Sequence, residues 1–396
     1  MNTSRREFLQ LSVLFGAGAM FMPSALWAAG QARKTDRRLV LLFLDGGNDG
    51  LNAVVPYADD LYRKARPKLG LAADQIIALN DSTGINAQLS AWQSIFDEGK
   101  LSILQGVGYD RPNLSHFTSR DIWHSGKREI DERPSGWIGR CYEAQRGVGG
   151  LPPVAMGTSE SPLLLKSANT SGLTLTNLAS LSLERTPEIP GAIPLDGPMA
   201  RIGQASQMAY ETANQLRAAA EKVPAGKDYP DTALGDRLRL AARLVRAENG
   251  PPVCWSKLGG FDTHALQLGT HNGLLRQLGD ATAAFQADLA TDGTDENTLL
   301  LIYSEFGRRV SENGSAGTDH GAAGPMFAIG GGVKGGFHGA NPNLADLDAG
   351  NLKMQTDYRA VFSEALRDWM GWPSENIFDG AFSKGDATVG FIKAKV

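Results

Sequence analysis

The chain has 396 residues, room for one large domain or two ordinary ones. Hydrophobic residues make up 42% and charged residues 21%, which supports a sizeable core and excludes a mostly disordered chain. A formal net charge of −4 without any long basic run excludes a general nucleic-acid binder. Two cysteines, Cys141 and Cys254, exclude a disulfide scaffold and a CxxC-type zinc site, and leave open whether they form one bridge.

Ser4-Arg5-Arg6-Glu7-Phe8-Leu9 fits the twin-arginine export pattern. An apolar stretch from Leu9 to Met22 follows, and then Ala25, Ala28 and Ala29 supply small residues for cleavage. The stretch is too short and too rich in Gly and Ser for a membrane span, which needs about 20 apolar residues. Residues 1–29 therefore read as a removable address for the twin-arginine translocase. Residues 30–396 read as one domain, periplasmic or secreted, with no stable membrane span after cleavage.

Arg38 to Leu44 is a continuous apolar run that ends in Asp45-Gly46-Gly47-Asn48-Asp49-Gly50, the pattern of a buried parallel strand opening into a polar loop. Leu101 to Gln105 predicts a second strand, residues 117–124 a helix, and Val154 to Met156 a third strand. Residues 199–249 predict two helices split by the turn Pro224-Ala225-Gly226-Lys227, an insertion on the domain. Pro252 to Ser256 reads as a strand running into Gly259-Gly260-Phe261-Asp262, and residues 272–289 as an amphipathic helix. Thr298 to Tyr303 and Met326 to Ile329 are further strands, and residues 356–370 a C-terminal helix. Strands alternating with helices predict an α/β fold around a mostly parallel sheet, with ligands bound outside the carboxyl ends of the strands.

Those strand ends carry the chemistry. Asp45, Asp262 with His264, and Glu305 each follow a predicted strand, and Asp319-His320 lies in a fourth polar loop. Each has an ordinary alternative: a turn cap for Asp45, an ion pair with Arg308 or Arg309 for Glu305, a structural histidine for His264, a simple turn for Asp319-His320. Taken together, a mixed Asp/Glu/His set suits a divalent ion such as Zn²⁺, Mn²⁺, Ca²⁺ or Mg²⁺. Ser115 precedes the helix at 117–124 and reads either as its N-cap or as a nucleophile whose deprotonation a metal or His116 eases. Arg308 offers a guanidinium matched to an anionic ester. No GxSxG elbow and no Walker loop appear.

The blocks Leu44-Asp45-Gly46-Gly47-Asn48-Asp49-Gly50-Leu51-Asn52, Ser115-His116-Phe117 with Asp121-Ile122-Trp123-His124, Gly259-Gly260-Phe261-Asp262-Thr263-His264, Ser304-Glu305-Phe306-Gly307-Arg308 and Asp319-His320-Gly321 closely resemble the DUF1501 family of exported bacterial proteins. That family in turn looks like a distant branch of the alkaline phosphatase and sulfatase superfamily. The resemblance implies a central mixed sheet, two metal positions and a hydroxyl-type nucleophile. By position, Asp45 stands for the first-strand metal aspartate, Ser115 for the nucleophile, Asp262 and His264 for an Asp-and-His pair on one metal, and His320 for that metal's later histidine. Glu305 stands where the superfamily has an Asp-His pair, and Phe306 beside it cannot ligate. Two functions follow as expectations. One is a metal-dependent hydrolase of phosphate or sulfate esters. The other is a catalytically degraded envelope protein that binds glycan or a protein partner.

Overall fold

The structure, a computed structural model, describes residues 36–145, 151–168, 171–176, 211–226 and 228–394. The expected leader at 1–29 and the first part of the expected insertion, 199–210, lie outside the described residues.

Among the described residues, nine strands form the central sheet. They are β1 (Arg38–Asp45), β2 (Leu101–Gly108), β3 (Val154–Met156), β4 (Leu173–Leu175), β5 (Val253–Gly259), β6 (Thr298–Ser304), β7 (Gly324–Ile329), β8 (Gly336–His338) and β9 (Thr356–Asp357). Eight follow the order β8-β2-β7-β6-β1-β5-β3-β4, and β9 pairs with β2. All pairings are parallel except those of β7, which runs antiparallel to both β2 and β6. The sheet is thus mixed and mostly parallel, flanked by helices. β1 sits at its centre, with Leu42 opposite Ser256 on β5 and Ile302 on β6.

Successive strand residues alternate between two cores, as the pleat requires. Val40, Leu42 and Leu44 join Cys254, Leu300 and Ile302 on one face, under α3 (Ala233–Arg246) and α4 (Gln267–Ala290). Leu39, Leu41 and Phe43 join Trp255, Leu301 and Tyr303 on the other, under α1 (His116–Ser125), α2 (Trp137–Ala144) and α5 (Tyr358–Glu364). Leu39 through Leu42 are fully buried, and burying each such side chain contributes about 1.5–3 kcal/mol. Cys141 lies in the second core and Cys254 in the first, so the sheet separates them and they are not bridged.

Several elements differ from the sequence reading at their ends. α4 starts five residues early because Leu266, at φ +46°, turns the chain and gives its N–H to the Ser315 carbonyl. The C-terminal helix starts at Tyr358, capped by Asp357, and widens into a π-helical turn over Ala365–Met370. The small antiparallel sheet of Val54–Val55, Gly84–Asn86 and Ile76–Ala78 is absent from that reading, because its strands are too short to show a period.

Candidate metal centre

The carboxyl ends of β5, β1 and β6 lie side by side and release three loops at one edge. Gly46 and Gly47 let the first loop fold back, with φ of +122° and +77°. A side chain at Gly46 would meet the Asp262 backbone nitrogen at 2.5 Å, so glycine is what lets the loops after β1 and β5 touch.

At that contact one carboxylate oxygen gathers four nitrogens. Asp262 Oδ1 lies 2.7 Å from Arg308 Nη2, 2.9 Å from His264 Nε2, 3.1 Å from His320 Nε2 and 3.3 Å from His116 Nε2. His264 Nε2 and His320 Nε2 are themselves 2.9 Å apart. Partial burial works against the Asp262 charge, yet the Arg308 guanidinium, foremost among its partners, holds its carboxyl well below the usual range.

Each imidazole is oriented from behind. His116 Nδ1 lies 2.8 Å from Glu305 Oε1, His320 Nδ1 lies 2.7 Å from the Leu114 carbonyl, and His264 Nδ1 lies 3.4 Å from Asp319 Oδ1. With Nδ1–H donated to Glu305 and to the Leu114 carbonyl, the Nε2 lone pairs of His116 and His320 face Asp262. Phe306 backs two of the rings, its centroid 4.9 Å from His116 and 4.8 Å from His320. His116, Asp262 and His320 offer three ligand atoms within 4.8 Å of one another.

The remaining site candidates have other surroundings. Glu305 is fully buried; besides His116 it accepts the Gly46 N–H at 2.9 Å and Ser304 Oγ at 3.1 Å. The Glu305 hydrogen bond raises the His116 pKa above its ordinary value. Asp45 Oδ2 meets Lys257 Nζ at 2.8 Å instead of the imidazoles. The two carboxylates of the expected second metal position thus each have a protein partner of their own. Arg308 is a buried strut: it donates to the carbonyls of Gly46, Gly47, Phe261 and Thr318 as well as to Asp262, and its side chain has no exposed surface to offer a substrate. Ser115 stands at the N-cap position of α1 and is exposed, but its hydroxyl makes no capping hydrogen bond.

The sequence reading gave His116 a part only in activating Ser115, and it passed over Lys257. His116 had a usable signal, since it adjoins Ser115 in the same motif. Lys257 had a weaker one, a lone charge inside an apolar strand.

Beneath the centre, the loop after β1 is tied down by buried polar groups. Burial would raise the Asp49 carboxyl, but Arg66 at 2.6 Å, with Gln267, holds it below its ordinary value. His271 Nε2 donates to Asn48 Oδ1 at 3.0 Å. Burial pushes the His271 pKa down to about 4 and that of His124 to about 3, so both rings are neutral. His124 Nε2 accepts from the Tyr303 hydroxyl at 3.2 Å, which accepts from Trp255 Nε1 at 3.1 Å.

Among solved structures, the chain is similar to a sulfatase from Pseudoalteromonas sp., at 14% identity and a TM-score of 0.42, covering 100% of this chain and 78% of that one. It is similar to a phosphonate monoester hydrolase from Silicibacter pomeroyi, at 13% identity and a TM-score of 0.37, covering 90% and 77%. It is also similar to an alkaline phosphatase from the Antarctic bacterium TAB5, at 12% identity and a TM-score of 0.35, covering 76% and 92%. No curated protein matches the chain. The profile of the family described as "Protein of unknown function (DUF1501)" matches residues 108–370, and the chain belongs to that family.

Proposed function

We propose that the protein is an exported metal-dependent hydrolase of phosphate or sulfate esters, with Ser115 as its nucleophile. One observation carries this reading: three imidazoles, two of them anchored through Nδ1, direct Nε2 at a single oxygen of Asp262. Hydrogen bonding alone accounts poorly for it, since a carboxylate oxygen offers about two lone-pair sites and four nitrogens crowd this one. His116 Nε2 is buried and has no hydrogen-bond partner. Two imidazoles and a carboxylate fit an ion such as zinc or manganese. The Asp262–imidazole separations of 3.1 and 3.3 Å match the edge of about 3.3 Å that bonds near 2 Å give a tetrahedral site.

His116, Asp262 and His320 would hold the ion, and His264 adjoins two of them. When bound, the ion supplies Lewis acidity toward the ester oxygens. Glu305 and the Leu114 carbonyl fix the tautomers of His116 and His320, and Arg308 fixes the Asp262 carboxylate. Ser115 Oγ, not engaged in capping the helix, bonds to phosphorus or sulfur and gives its proton to water. The ester oxygen leaves and takes a proton from water, and a second water then cleaves the serine ester.

That Asp45 and Glu305 are held by Lys257 and His116 favours a second reading, a non-catalytic envelope protein that binds glycan or a protein partner. Metal content separates the two. A stoichiometric divalent ion, with turnover in a screen of phospho- and sulfo-esters, supports the hydrolase; a metal-free, inert protein supports the binder.

A further inference from the structure

An oxyanion substrate needs a cation that faces it, and Arg308 is spent. Among the described residues, no other Lys or Arg pairs with Asp262 or Glu305. Another cation at this edge of the sheet is Lys257. It lies two residues before the end of β5, opposite Phe43 of β1, with Nζ 2.8 Å from Asp45 Oδ2. Asp45 directly precedes Gly46, whose N–H holds Glu305 Oε1, and that oxygen holds His116. Lys257 therefore borders the strut that carries a ligand of the proposed ion. Its side chain is 41% exposed and that of Asp45 24%, so the pair opens to solvent at the ligand-binding edge.

We infer that Lys257 is the subsite that receives the oxygens of a phosphate- or sulfate-type group at the strand edge that carries the imidazole–Asp262 centre. A lysine ammonium has three N–H donors; Asp45 takes one, leaving two for an anion. Asp45 is then a counter-ion that competes with the anion for the ammonium. The inference deepens the hydrolase reading and rests on it for its biological meaning, although capture of an oxyanion does not require turnover.

The test is calorimetric titration of the purified protein with inorganic phosphate and with sulfate, in zinc-loaded and metal-free forms, alongside metal analysis. Lys257→Met weakens phosphate binding about tenfold or more, the worth of one charged hydrogen bond, with metal content unchanged. Lys257→Arg retains most of the affinity. Asp45→Asn frees the ammonium and tightens phosphate binding with metal retained; loss of the metal in Asp45→Asn instead marks Asp45 as a ligand and overturns the inference. If Lys257→Met does not fold, Asp45→Asn combined with Lys257→Met removes both charges and gives the same reading. Wild-type affinity in either charge-removing variant overturns the inference. So does a wild-type protein that binds neither anion in either form. A protein that binds phosphate through Lys257 yet turns over no ester supports the subsite and refutes the hydrolase.

Discussion

His116 and Glu305 stand 189 positions apart in the chain and 2.8 Å apart in space, Nδ1 to Oε1, with the glutamate fully buried. A buried carboxylate persists only where donors surround it, and here the donors include the imidazole and the Gly46 N–H. Glu305→Gln is expected to keep the fold and lower zinc affinity about 10- to 100-fold, the usual effect of losing an acceptor behind a histidine ligand. Glu305→Ala strands those donors and costs about 3 kcal/mol. Zinc titration beside urea denaturation checks both, and unchanged affinity in Glu305→Gln argues against His116 as a ligand.

Ser115 occupies a capping position without capping. An N-cap serine replaced by alanine normally costs about 1 kcal/mol, so Ser115→Ala is expected to cost less, about 0.5 kcal/mol or below. The variant keeps its metal and loses ester hydrolysis. Hydrolysis close to the wild-type rate removes Ser115 as the nucleophile.

The two buried histidines set an acid limit. His124 and His271 are neutral in the fold, with pKa values pushed down to about 3 and about 4, against about 6.5 in the unfolded chain. Between those values the unfolded state binds more protons, so stability rises with pH. Their contribution is complete above about pH 6.5 and fades as pH falls through 6.5 toward 4 and 3. Between pH 7.5 and 4.5 each is expected to cost about 2–3 kcal/mol. Urea midpoints across that range check this, and His124→Gln is expected to flatten the slope.

Export is expected to depend on the paired arginines, Arg5 and Arg6. Changing both to lysine should leave full-length precursor in the cytoplasm. Fractionation and immunoblotting report it, and unaltered delivery to the periplasm rules out the twin-arginine route.

Six of the nine strands were legible as apolar runs, and β1, β5 and β6 end at polar residues that announce the edge; β4, β8 and β9, two or three residues long, were too short to show. Asp262 and His264 could be placed at that edge on this ground, whereas His320, in a loop that precedes β7, was joined to them by the family resemblance. The partners of Asp45 and Glu305 could not: a carboxylate after a strand looks the same whether it meets an ion, a lysine or an imidazole. Only the register of β1 against β5 brings Lys257 to Asp45. The antiparallel course of β7 was hidden for a similar reason, since a buried apolar run carries no direction.

The centre has no local precursor in the chain. His320 reaches across 58 positions to Asp262 and across 206 to the Leu114 carbonyl. An unfolded chain therefore presents scattered single ligands in place of a chelate, and an ion gains its grip only after β1, β5 and β6 have closed those long loops. Binding to the native state alone would make an ion at the proposed site a full-strength reporter of native structure. An ion that entered the site before export would mark the chains that had finished folding.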